Sequence, residues 1–260
     1  MERARRPPPP FRLVTVRRGE RLGPRMARVT LAGPELEGLV VPDPASSIRL
    51  LLPSPGADEL ELPTWTGNEF LLADGRRPVL RTLTPRRVDG AALEVDVDVV
   101  VHGAGAASAW AAGAGAGSPA ALSGPGRGHQ VDAGAPHYLL LGDETAIPAI
   151  SQLLETLAAH TAVRVHIESA GDPLPLPRHP RAEISWHRRA EDRPFGAALV
   201  EAAARHPAPE GRVWAAGEAA AMQRIRRTLF EAHGLPRARA TVRGYWKAGR
   251  SADEGGGADL

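Results

Sequence analysis

The chain has 260 residues, with 32 lysines and arginines against 30 aspartates and glutamates, a formal net charge of +2, and no cysteine. This excludes disulfides, thiolate-bound iron–sulfur clusters, cysteine zinc sites and thiol nucleophiles together. Its nearly balanced charge, without a basic strip interleaved with aromatics, argues against a nucleic-acid partner, and no run of about 18 apolar residues is present to cross a membrane.

In chain order, the head (residues 1–10) is Arg and Pro without the apolar stretch of a secretory signal, so a mobile end on a soluble cytoplasmic protein is expected. Phe11 to Val16, Met26 to Leu31 and Ile48 to Leu52 read as short strands. Arg81 to Arg86 reads as a turn between strands. Leu93 to Val99 alternates apolar and acidic residues with period two, as a half-buried antiparallel strand requires, and its end, Val99 to Val101, reads as covered on both faces. Residues 103 to 117 are almost all Ala and Gly, and composition leaves open a glycine-led helix start or a low-complexity loop. Short strands without long helical patterns predict a β-sandwich or barrel over residues 11–135.

The period then changes. Tyr138 to Leu141 is a continuous apolar run, followed by Gly142 to Thr145 and by Ile147, Ile150, Leu153, Leu154 and Leu157 at helical spacing, with Asp143 or Thr145 as N-cap and Pro148 in the first turn. Val163 to Ile167, Glu183 to Trp186 and Val213 to Ala216 are strand-like, Pro194 to Arg205 is helical, a second helix stops near Gly234, and Ala240 to Tyr245 closes the series. Strands alternating with helices predict a doubly wound parallel α/β domain over 136–250, whose ligands bind at the carboxyl ends of the strands. The tail (251–260) reads as a second mobile end.

Several segments carry chemistry. Arg81, Thr82 and Thr84 bring a guanidinium and two hydroxyls suited to phosphate. His102 to Ser108 places glycines ahead of a possible helix, where amide N–H groups suit a pyrophosphate; His102 itself reads first as an ordinary hydrogen-bonded residue at a strand end. Asp143, Glu144, Thr145, Gly217 and Glu218 fall where a doubly wound sheet holds nucleotides, although GxGxxG spacing is absent. Glu168, at the end of a later strand, stands where a ribose hydroxyl is held.

These fragments, in this order, resemble the siderophore-interacting proteins, flavin-dependent ferric-siderophore reductases of the ferredoxin-reductase-like superfamily. The resemblance rests on Pro24 to Gly33, Arg81 to Arg87, Val97 to Gly103 with Ala107, Ser108 and Trp110, Gly124 to Gly128, Leu139 to Ile150, Trp214 to Glu218 and Gly244 to Gly249. It implies an N-terminal antiparallel six-stranded Greek-key β-barrel that binds FAD, a C-terminal NAD(P)H-type α/β domain, and the flavin at their junction. By this resemblance Arg81, Thr82, Leu83 and Thr84 hold the ribityl and phosphate region. Val99, Val101, His102, Gly105, Ala107 and Ser108 form the pyrophosphate loop. Asp143, Glu144, Thr145, Gly217 and Glu218 face the nicotinamide, and Tyr245 and Trp246 return to the isoalloxazine edge, where Trp246 reads either as a shield or as core. Arg49, Arg127 and Lys247, the single lysine of the chain, would attract an anionic chelate.

The chain departs from that pattern at Leu83, where the family has a tyrosine, at Ala106 in place of proline, and at the additional Gly126. The resemblance therefore leaves two functions. One is reduction of ferric siderophore by NADH or NADPH through FAD, with reduced ferredoxin as an alternative donor. The other is a non-catalytic member that binds flavin or ferric siderophore with a weakened FAD site. Oxygen chelators hold Fe(III) far more strongly than Fe(II), so one electron loosens the metal, and no general acid, nucleophile or resident metal is expected. A monomer is the expected state.

Overall fold

A computed structural model of the chain describes residues 9–103, 105–207 and 210–249. Residues 1–8 of the head and the tail, both read as mobile ends, lie outside the described residues. Two compact units meet in sequence between Gly128 and His129.

The N-terminal unit contains strands β1 (Arg12–Gly23), β2 (Met26–Ala32), β3 (Ile48–Leu52), β4 (Thr64–Trp65), β5 (Phe70–Leu71), β6 (Val79–Leu83), β7 (Pro85–Asp89) and β8 (Glu94–Val100), then helix α1 (Ala106–Gly113) and β9 (Pro119–Ser123). Seven strands form one antiparallel sheet in the order β6-β3-β9-β1-β2-β8-β7, with β4 and β5 paired apart from it. Its two edges, β6 and β7, are consecutive in the chain with only Thr84 between them, so the sheet curls into a barrel-like form. Counting residues 79–89 as one bent strand recovers the six strands expected.

The predicted turn at Arg81 to Arg86 is thus corrected. It is strand on both sides of Thr84, and Pro85, which has no N–H to give a ladder, is tolerated because it opens an edge strand. The period-two reading of β8 holds. Val95, Val97 and Val99 enter a core with Val14, Val29, Leu50 and Leu122, each worth about 1.5–3 kcal/mol of burial. Facing outward, Asp96 accepts a 2.6 Å hydrogen bond from Thr30, and Asp98 accepts two from Arg28 at 2.7 and 2.9 Å. Of the run read as doubly covered, Val99 is buried while Val100 and Val101 are half-buried.

The second unit contains β10 (His137–Asp143), α2 (Ile147–Thr156), β11 (Ala162–Ser169), β12 (Ala182–Arg188), α3 (Ala197–Arg205), β13 (Arg212–Glu218), α4 (Ala219–Arg227) and β14 (Ala240–Trp246). All five strands are parallel, in the order β12-β11-β10-β13-β14. Leu139 and Leu141 pack with Leu199 of α3 and Met222 and Ile225 of α4. Gly142 lies on the opposite face, where a side chain would strike Ala146 and Ile150 of the α2 segment. Helices therefore cover both faces, and the chain reverses direction across the sheet between β10 and β13, as a doubly wound fold does. Among the described residues no helix is long and apolar enough to cross a membrane.

Candidate functional site

In the N-terminal unit, β8 delivers the chain to the start of α1. Val101 N–H donates to the Arg25 carbonyl at 2.8 Å, and His102 N–H donates to Ser108 Oγ at 3.0 Å, with Ser108 buried. The open question at residues 103–117 resolves as a helix, anchored because Ala106, Ala107 and Trp110 pack against the barrel core. Gly105, the residue before the helix, has φ 85° and ψ 145°, a conformation open essentially to glycine. It contributes no side-chain cap, and the first turn holds no acidic residue. The initial N–H groups of α1 thus present a positive helix end without a capping carboxylate of their own. That donor set is what a pyrophosphate requires, so the residues here fit FAD.

The Arg81 block divides between the two faces of its strand. Thr82 pairs with Arg49 across β6 and β3, and both are exposed on one face. Arg81, which donates to the Leu80 carbonyl at 3.1 Å, alternates with Thr82 and lies on the other face with Leu83, whose side chain packs against the core. Thr84 is buried at the break between strands. Val99 belongs to the core and Val101 gives its N–H to Arg25, so these two frame the loop ahead of α1.

The Gly124 to Gly128 segment folds back on the residues preceding β3. Gly126 N–H donates to the Ser47 carbonyl at 2.6 Å, and a Cβ at Gly126 would lie 2.5 Å from Ser47 Oγ. A side chain at this additional glycine would push the Ser47 hydroxyl aside. Ser123 also pairs with Arg49, and Arg49 and Arg127 are both exposed.

In the second unit, the carboxyl ends of the strands are joined by carboxylates. Asp143 accepts at Oδ1 from Thr145 N–H (2.9 Å) and Thr145 Oγ1 (2.5 Å), and at Oδ2 from Glu218 N–H (3.0 Å) and Trp246 Nε1 (2.7 Å). One side chain thereby ties β10, β13 and β14 together. Burial pushes its carboxyl above the usual range, against the opposing pull of these four donors. Glu218 accepts from Ala221 N–H at 2.9 Å and from Ala248 N–H at 3.3 Å. Glu144 accepts from Ser169 Oγ at 2.9 Å. Trp246 stands edge-on to Phe195, with ring centroids 4.8 Å apart, while Tyr245 meets Trp214 at 6.4 Å. Lys247 is exposed just beyond β14.

Glu168 differs from its sequence reading. It is only 5% exposed, and its two oxygens accept from Gly196 N–H at 2.6 Å and Ala198 N–H at 3.0 Å, so it caps α3 and does not offer itself to a ribose.

A column of three histidines was also missed. His166 lies between His187 and His206, with ring centroids 5.2 and 5.1 Å apart and interplanar angles of 25° and 20°, and its Nδ1 is 2.9 Å from His187 Nε2. Burial, then the neighbouring His187, His206, Arg164 and Arg205, lower the His166 pKa to about 4. The only sequence signal was a histidine at an inward position of an apolar strand. The rings stack, and among the described residues no group of three His, Cys, Asp or Glu side chains is arranged to hold a metal ion.

Comparison with known proteins gives matches to both units. Residues 15–129 match the siderophore-interacting FAD-binding domain, and residues 135–249 match the siderophore-interacting protein family. A siderophore utilization protein from T. fusca superposes with a TM-score of 0.82 at 36% identity, covering 94% of this chain and 95% of its own. The siderophore-interacting protein SipS from Aeromonas hydrophila gives 0.75 at 28% identity over 93% and 100%. The ferric vibriobactin reductase ViuB of Vibrio cholerae is 28% identical over 92% of this chain and 90% of its own.

Proposed function

Because the chain belongs to the siderophore-interacting protein family, we propose that it is a flavin-dependent reductase that takes electrons from a reduced nicotinamide nucleotide and passes them to ferric siderophore, releasing Fe(II). The observation that carries this reading is the start of α1. A glycine-only turn, a buried serine that fixes it and a helix end without an acidic cap stand inside the segment that matches the FAD-binding domain. Bound FAD supplies the step between a two-electron donor and a one-electron acceptor.

The protein's own contribution is placement. The α1 amides hold the pyrophosphate, and Ser108 locks the loop through His102 N–H. Arg81 supplies a guanidinium to the phosphate and ribityl region, and Arg49 and Arg127, both exposed on the same unit, draw in an anionic chelate. ViuB, a reductase by name, aligns over nine-tenths of both chains, which supports turnover rather than binding alone.

The test is an anaerobic assay in which Fe(II) is trapped by a ferrous-specific chelator. The reading expects Fe(II) to form from a ferric tris-catecholate only when FAD and NADH or NADPH are both present. Reduction by a photoreduced ferredoxin but by neither nicotinamide would replace the donor. Reduction by neither would remove the enzymatic reading.

A further inference from the structure

At the carboxyl edge of the parallel sheet, N–H groups at the starts of α3 and α4 and in the turn ahead of α2 already hold carboxylates of the chain. Asp143 binds Thr145 N–H ahead of α2, Glu168 binds Gly196 and Ala198 N–H at α3, and Glu218 binds Ala221 N–H at α4, at distances of 2.6 to 3.0 Å. In doubly wound folds these helix starts are where a dinucleotide pyrophosphate is held, because free N–H groups and the positive helix end favour an anion. Here both advantages are used internally. Glu168 and Glu218 are each 5% exposed, so neither leaves its helix without breaking buried hydrogen bonds. A phosphate brought to these positions meets carboxylate oxygens already engaged with the N–H groups of Thr145, Gly196, Ala198 and Ala221.

We infer that Asp143, Glu168 and Glu218 close the α/β unit to phosphate, so that it draws no binding from the pyrophosphate of a dinucleotide and selects its nicotinamide donor without that anchor. This rests on the proposed nicotinamide-dependent reading, but its test does not. ADP-ribose carries the pyrophosphate and no nicotinamide, and its binding to the FAD-loaded protein is measured by calorimetry, whether or not electrons flow.

The expected result is a Kd weaker than about 1 mM for the unaltered protein, with Glu168→Ala, which frees two helix N–H groups and removes a charge, binding about tenfold more tightly. Glu218→Ala, scored the same way, serves should Glu168→Ala fail to fold by circular dichroism. Saturation of the unaltered protein below about 1 mM overturns the inference, as does a folded variant that gains no affinity. In a second reading, reduced nicotinamide mononucleotide bleaches the bound flavin within about threefold of the NADH rate, whereas a preference for NADH of about thirtyfold or more overturns the inference. Failure of both nucleotides to bleach the flavin would count against the proposed donor and leave the ADP-ribose result standing.

Discussion

Replacing Asp143 by asparagine is nearly isosteric, and the geometry makes it costly. The carboxylate receives four donors and gives none, two on each oxygen. An asparagine with its oxygen toward Thr145 turns an NH2 group against Glu218 N–H and Trp246 Nε1–H. Flipped, it satisfies those two and can donate to Thr145 Oγ1, but Thr145 N–H is left facing a donor. Even the better flip therefore orphans one backbone N–H, a loss of about 1–3 kcal/mol. Asp143→Ala orphans three N–H donors, and with water reaching part of this half-buried site the cost is about 3–5 kcal/mol. Urea denaturation followed by far-ultraviolet circular dichroism measures both, and near-ultraviolet dichroism reports the loosened Trp246 ring. An asparagine variant within about 0.5 kcal/mol of the parent, or an alanine variant milder than the asparagine one, would refute the reasoning.

Three other outcomes follow from the geometry. The folded pKa of His166 is about 4 against an ordinary 6.5, so between those values the unfolded chain binds a proton that the native chain refuses; stability is full above pH 6.5 and falls by about 3 kcal/mol as the pH approaches 4. His166→Phe, which keeps a ring in the column, is expected to flatten that dependence in melts taken from pH 7 to 4.5, and an unchanged slope would contradict it. Gly105→Ala forces a side chain into a backbone conformation that costs about 1–3 kcal/mol, so FAD binding followed by flavin fluorescence should weaken by about tenfold with the fold retained; unchanged affinity would move the pyrophosphate away from α1. Leu83→Tyr adds an aromatic face where leucine now packs, and about 0.5–1.5 kcal/mol of contact predicts FAD binding about two- to twelvefold tighter; a weaker complex would mean that Leu83 is needed for the core.

The elements legible in the sequence were those whose side chains meet only near neighbours. The alternation in β8 and the apolar run, turn and helical spacing from β10 into α2 report burial directly, and Asp143 announced itself as a cap because Thr145 is two residues away. Arg81 to Arg86 reads as a turn in sequence because Pro85 is a breaker anywhere except at the start of an edge strand, and edge status depends on how the whole sheet curls. The Ala/Gly stretch gave no period from which to assign α1, which is fixed by packing of Ala107 and Trp110 on a barrel formed elsewhere. The caps on α3 and α4 stayed hidden for different reasons. Glu168 reaches its helix across 28 residues, a separation no local pattern reports, while Glu218 was legible as a strand-end residue but equally as a ligand contact. Gly126 reads as an insertion in a motif from sequence alone, because its neighbour Ser47 lies 79 residues away.

The central claim is tested most directly by reducing the FAD-loaded protein photochemically without oxygen, then adding ferric siderophore and following the flavin spectrum, which removes the donor from the question. The account predicts that the oxidised flavin spectrum returns with two equivalents of Fe(III) complex consumed per flavin, because each iron takes one electron and the fully reduced flavin holds two. A flavin that stays reduced in the presence of excess ferric siderophore, while molecular oxygen still reoxidises it, would contradict the account.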